Sequence, residues 1–189
     1  MSIIERSPAT VDHLDLPAPG LWNIPTGWAM IELSVPQMLR QSMQAYVRMK
    51  QGMIAVADDP THSTVNCSLD ACSLATGNPA LDLYLRERVL DIAKYSTIPV
   101  RIATVEHIDG PHWNAHGWVT IRGVSIPIEL AVTYEGVLGP RSIAHFRAEG
   151  TLALRSILPV NHGLRGRFLA GRHLRISIEI YAESLRLTR

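Results

Sequence analysis

Residues 112–136 read HWNAHGWVTIRGVSIPIELAVTYEG, and the alternation of side chains along them decides the fold. Trp113, Ala115, Val119 and Ile121 hold odd positions, with Asn114, His116, Thr120 and Arg122 between them. A period of two turns one strand face inward and the other to water. Past Gly123 the phase reverses, and Val124, Ile126, Ile128, Leu130, Val132 and Tyr134 take the even positions. Arg122-Gly123 is therefore a turn, kink or bulge between two long half-buried strands. Strands of this length suit a closed, tilted sheet better than a small flat one.

The same period recurs on both sides. WAMIELSV (28–35) puts Ala29, Ile31, Leu33 and Val35 on one face before Pro36 ends it. MQAYVRMK (43–50) alternates Met43, Ala45, Val47 and Met49 against polar neighbours; Gly52 is expected to break the run, with MIAVA (53–57) a separate short strand. STVNCSLDA (63–71) offers Val65, Cys67, Leu69 and Ala71 to the inside. The segment 99–108 alternates imperfectly, 142–154 is a strand with a bend expected at Gly150, and Leu174, Ile176, Ile178, Ile180 and Ala182 mark the last strand.

One stretch has a different period. Asn78-Pro79 is a helix cap with proline at the first position, and Leu81, Leu85, Val89 and Ile92 follow at helical spacing. This predicts one amphipathic helix over 78–94, with Asp82 and Arg86 pairing on its flank, laid over an opening or edge of the sheet. Eight or nine strands, one helix and no βαβ alternation describe an all-β fold, an antiparallel up-and-down meander closed into a barrel to remove its edges.

Length and charge set the outer limits. The 189 residues bury one substantial core, so a single domain over 22–189 is expected, preceded by a strap or flexible tail over 1–21 that carries Pro8, Pro17, Pro19 and Gly20. A formal net charge of +1 provides no field for nucleic acid or an anionic membrane surface. No run of about 18 apolar residues spans a bilayer. The opening residues, with Glu5, Asp12 and Asp15, do not make a secretory signal, which predicts a cytoplasmic protein with Cys67 and Cys72 reduced.

The chemistry-bearing residues are sparse. His107, His112 and His116 are close in sequence, but without a Cys or carboxylate at ligand spacing they read as a solvated strand face. Ser68, Ser73 and Ser125 lack the G-x-S-x-G elbow of a hydrolase. Arg155, Arg165, Arg167, Arg172 and Arg175 gather around an irregular segment and read first as a solvated basic loop, with contact to a pyrophosphate or carboxylate head group at the barrel mouth as the alternative. Tyr46 and Trp118 project outward by parity, as a partner surface would. No cofactor or metal is implied.

The inward set is Ile31, Leu33, Val47, Met49, Val65, Leu69, Val119, Ile121, Ile128, Leu130, Phe146, Leu152, Ile178 and Ile180. Alternation alone leaves two outcomes open, an interior filled by side chains or one that holds a small ligand. With no inward charge, such a ligand would be a hydrocarbon chain, each buried methylene contributing ~0.8 kcal/mol.

The order of strand, S-L-A-T-G-N, Asp82, Leu85-Arg86, Leu90-Asp91, Tyr95 and Pro99, then W-V-T-I-R-G-V-S-I-P-I-E-L and a closing I-S-I-E-I-Y-A, resembles the YceI-like family of lipocalin-like, polyisoprenoid-binding proteins over about 22–184. The resemblance implies a lipocalin-like barrel of eight or so strands whose lumen, lined by the fourteen inward residues, takes an isoprenoid chain, a quinone tail or a related amphiphile, and a homodimer. The function expected is non-enzymatic binding, carriage or sequestration of that hydrophobic small molecule. The alternative is a scaffold or stress-response module with a filled barrel, acting through its outer face. The chain departs from the family pattern at Gly27-Trp28, at Leu81 to Leu85 and at Arg122 to Ser125, so head-group contacts do not carry over.

Overall fold

The computed structural model describes residues 17–35, 42–139, 143–153, 157 and 173–185. Nine strands run antiparallel in one sheet: β1 (Gly20–Ile24), β2 (Ala29–Val35), β3 (Met43–Val56), β4 (Thr64–Ala75), β5 (Thr97–Asp109), β6 (His112–Ile121), β7 (Val124–Leu138), β8 (Ile143–Ala153) and β9 (His173–Ser184). Neighbours in sequence pair from β2 through β9, and β9 returns to β2. The barrel is therefore closed with eight staves. The first stave is split, because β1 continues the line of β2 by pairing with the far halves of β3 and β9. Trp22 and Ile24 are buried within β1.

The opening stretch forms β6 and β7 as its alternation requires. Ile121 faces Val124 across a two-residue turn, with φ of 53° at Arg122 and 77° at Gly123. Positive φ at both centres is the demand of a type I′ hairpin, whose twist matches that of the strands it joins. Trp113, Ala115, Val119 and Ile121 are buried from one strand and Ile126, Ile128, Leu130 and Tyr134 from the other. Val124 departs from its parity and is 59% exposed, because it sits beside the turn at the barrel end.

Bulges explain where the period of two fails. In β3 the pairing slips between Met49 and Gln51, so burial moves from Met49 to Gly52, Ile54 and Val56. Gly52 thus does not end a strand; β3 runs through it, and a Cβ there would lie 2.8 Å from Ile24 Cδ1. β5 inserts a residue between Ile102 and Thr104, which is why 99–108 alternates imperfectly. Gly150 is not a bend either. It pairs with Leu130 and Ile176 without a shift, and its missing side chain makes room for the Leu130 side chain and the Glu129 carbonyl.

The helix begins as its cap predicts. Asn78 Oδ1 accepts the amides of Ala80 and Leu81 at 3.1 and 3.2 Å ahead of α1 (Pro79–Tyr84). Its end differs: the winding widens to a π-helical turn over Leu85–Leu90, closed by Asp91 at φ 53° rather than running to 94. Asp82 and Arg86 do not bond to each other. Thr76 donates its amide and hydroxyl to Asp82 Oδ1 at 2.7 and 2.6 Å, while Arg86 donates Nε and Nη2 to the Leu74 carbonyl at 2.8 and 2.5 Å. Backbone groups past the last β4–β5 pair, Asp70 to Thr97, need partners, and charge-assisted bonds to them outrank an exposed ion pair. All the loop arginines except Arg175 lie outside the described residues.

Candidate functional site: the lumen of the barrel

The inward faces do not meet at the centre. They enclose a cavity of about 310 Å³ that runs the length of the barrel. All fourteen residues of the inward set border it. That volume is within the range of small-molecule sites, roughly 300–1,000 Å³, and apolar cavities of even ~150 Å³ stay dry and accept apolar guests. The interior is thus open, not filled.

Each end is differently closed. At the end carrying the Arg122-Gly123 turn, the helical segment lays Leu85, Val89 and Leu90 against the cavity. It is a lid in position, tied through Arg86 to Leu74 of β4 and through Asp82 to Thr76, the residue after β4. At the other end Pro17, Pro60 and Ser63 border the space, the last two from the 3-10 turn after β3 and the residues that follow it.

The wall is almost wholly hydrocarbon. No Lys, Arg, His, Asp or Glu borders the cavity among the described residues, and no buried charged residue occurs there. Cys67 faces the space as its parity predicts, and burial pushes its thiol up to about 12. The thiol is neutral at any physiological pH and adds only a small soft surface.

Among the described residues three rings interrupt the aliphatic lining, on adjacent strands and at one level, away from the lid. Tyr134 of β7 faces Phe146 of β8, ring centroids 5.3 Å apart. Trp113 of β6 pairs with Val132, two residues before Tyr134, and packs beside His107 at 4.5 Å. Trp113 Nε1 and the Tyr134 hydroxyl are both buried and have no hydrogen-bond partner among the described residues.

Sequence reasoning missed several wall residues. Ile54, Val56 and Val105 follow bulges that reverse parity, and Leu74 follows the irregular end of β4. Ile98, Val100, Ile102, Leu174 and Ile176 alternate correctly but were not in the inward set. The signal for the first group was the adjoining imperfect alternation.

The outer face carries the polar chemistry. His145 Nε2 and the Tyr181 hydroxyl each lie 3.0 Å from Glu179 Oε1, and the His145 and Tyr181 rings stack at 4.5 Å. Hydrogen bonds from Tyr181 and His145 hold the Glu179 carboxyl below its usual range. This ladder ties β8 to β9 and does not reach the lumen. His112 bonds Thr133, His107 the Gly110 carbonyl, and His116 Nε2 lies 3.8 Å from Glu106. Among the described residues no three His, Cys, Asp or Glu side chains come together to hold a metal, and no helix is long and apolar enough to cross a membrane.

A closed eight-stave antiparallel barrel with an apolar lumen and one helix across an end defines a lipocalin-like barrel protein. The model of the YceI-like domain matches residues 22–181, and the chain belongs to that family. No protein of curated function matches. Among solved structures, BcnA of Burkholderia cenocepacia superposes with a TM-score of 0.70 at 11% identity, over 81% of this chain and 95% of its own. A polyisoprenoid binding domain from Saccharophagus degradans gives 0.57 at 12%, over 86% and 98%. The YCEI protein of Campylobacter jejuni gives 0.59 at 21%, over 77% and 88%. At these identities the likeness is one of fold.

Proposed function

We propose that this protein binds and carries, without catalysing a reaction, a linear hydrophobic chain held in the barrel lumen, an isoprenoid-like amphiphile or quinone tail. The continuous uncharged cavity of about 310 Å³ carries this reading. Ten carbons moved from water into such a wall release about 8 kcal/mol before the costs of ordering the chain. The fourteen inward residues form the binding surface, and the helical lid controls entry. Membership of the YceI-like family and the likeness to a polyisoprenoid binding domain support the choice of chain. The test is solvent extraction of the purified protein followed by mass spectrometry, with titration of defined lipids into the stripped protein. A co-purifying long-chain amphiphile is expected; an empty extract together with no lipid binding would refute the proposal.

The outer face supports a second role, self-association. Trp118 is 48% exposed on β6, where it flanks Arg101 and Pro127, and exposed aromatics of this size favour interfaces. Sedimentation of Trp118→Ala against the parent protein decides it: a lowered association constant is expected, and identical profiles rule the surface out.

A further inference from the structure

The rings at the end away from the lid include two groups that an empty barrel wastes. Trp113 is 8% exposed and Tyr134 4%, both border the cavity, and neither Trp113 Nε1 nor the Tyr134 hydroxyl has a partner among the described residues. Leaving a buried donor unpaired costs about 1–3 kcal/mol, whereas an apolar group of the same shape costs nothing. The neighbouring ring on β8 is Phe146, which packs at the same level without such a penalty. Apart from Ser63, the Cys67 thiol and the Met43 and Met49 thioethers, everything else along the wall among the described residues is hydrocarbon.

Given the chain-binding reading above, on which this inference rests, we propose that Trp113 and Tyr134 form a deep polar seat for the leading end of the bound chain, and that this end carries an uncharged oxygen, as in an alcohol, a ketone or a phenol. An indole N–H and a phenol O–H both donate, so the complementary ligand atom is an acceptor. A phosphate, diphosphate or carboxylate is excluded from this depth, because no cation among the described residues borders the cavity to offset its desolvation. Burial also raises the Tyr134 phenol above its usual range, which keeps it protonated and donating. The ligand thus enters oxygen first, and its tail trails toward the lid.

Competition against a fluorescent lipid probe, using farnesol, the hydrocarbon farnesene and farnesyl monophosphate, separates the possibilities. Farnesol is expected to bind the parent protein roughly fivefold to tenfold more tightly than farnesene, the factor one or two buried hydrogen bonds supply. Tyr134→Phe, which preserves shape, is expected to bring that ratio to about two or below by weakening farnesol, with the melting temperature equal or higher. Equal binding of farnesol and farnesene by the parent overturns the polar seat and leaves chain binding intact. Tightest binding by farnesyl monophosphate, indifferent to Tyr134→Phe, also overturns it. Binding of none of the three refutes the chain-binding reading, and the seat with it.

Discussion

Arg86 holds the carbonyl of Leu74 with two nitrogens, Nε at 2.8 Å and Nη2 at 2.5 Å, and this contact fastens the helical lid to the end of β4. Substitution with Ala leaves that carbonyl unpaired and should weaken lid docking by about 1–2 kcal/mol. Amide exchange over residues 79–90 is expected to accelerate about tenfold while the β6–β7 pairing stays protected. Equal exchange in both proteins would refute the latch.

Acid should open the same lid. The Thr76 hydroxyl and amide hold the Asp82 carboxyl below its usual range. A depressed folded value contributes stability that is present above the ordinary carboxylate pKa and lost as pH falls through the folded one. Protection over 79–90, relative to intrinsic exchange at each pH, should therefore fall below about pH 4 in the parent protein, and Asp82→Asn should show less of this fall.

Filling the lumen separates binding from folding. Ala148 is buried on β8 and borders the cavity. Ala148→Phe places a ring into empty space rather than into packed atoms, so the overpacking cost of about 1–3 kcal/mol should be largely avoided. Lipid affinity is expected to drop at least tenfold at an unchanged or higher melting temperature. Retained affinity would place the ligand elsewhere.

Two positions on β6 and its hairpin should respond in opposite directions. A Cβ at Gly117 would sit 1.9 Å from the Arg101 carbonyl oxygen, so Gly117→Ala must push β5 from β6 and cost more than about 2 kcal/mol. Arg122→Asn should stabilise by about 0.5–1 kcal/mol, because asparagine tolerates the positive φ that arginine adopts there under strain. Thermal melting of the two variants is the measurement.

Cys67 should be chemically silent in the folded protein. Its thiol rises to about 12 while Cys72 is exposed, so a thiol reagent near neutral pH should label one site natively and two after unfolding. Because the folded value lies above the unfolded one, the contribution is complete below about pH 9 and is lost as pH rises, at about 1.4 kcal/mol per unit up to about 12. Cys67→Ala should flatten that alkaline decline.

The local patterns carried the elements. Alternation over residues 112–136 was sufficient for the β6–β7 hairpin, since a period of two admits only one face to the core, and Asn78-Pro79 was sufficient for the helix start. Gly52 and Gly150 misled because a glycine signals both a break and a close approach, and only the neighbouring strand tells which. The bulges of β3 and β5 hid Ile54, Val56 and Val105, since one inserted residue reverses every inward position after it.

What the sequence by itself determined was therefore a set of half-buried strands whose inner faces are aliphatic, because inward direction is a local consequence of the pleat. What only the tertiary structure decided was that those faces stand apart around about 310 Å³, that Asp82 binds Thr76 and Arg86 binds Leu74 rather than each other, and that Trp113 Nε1 and the Tyr134 hydroxyl share one end of the cavity without partners among the described residues. Barrel closure sets the distance between opposite walls, and that distance depends on strand number, tilt and register, which no single strand contains.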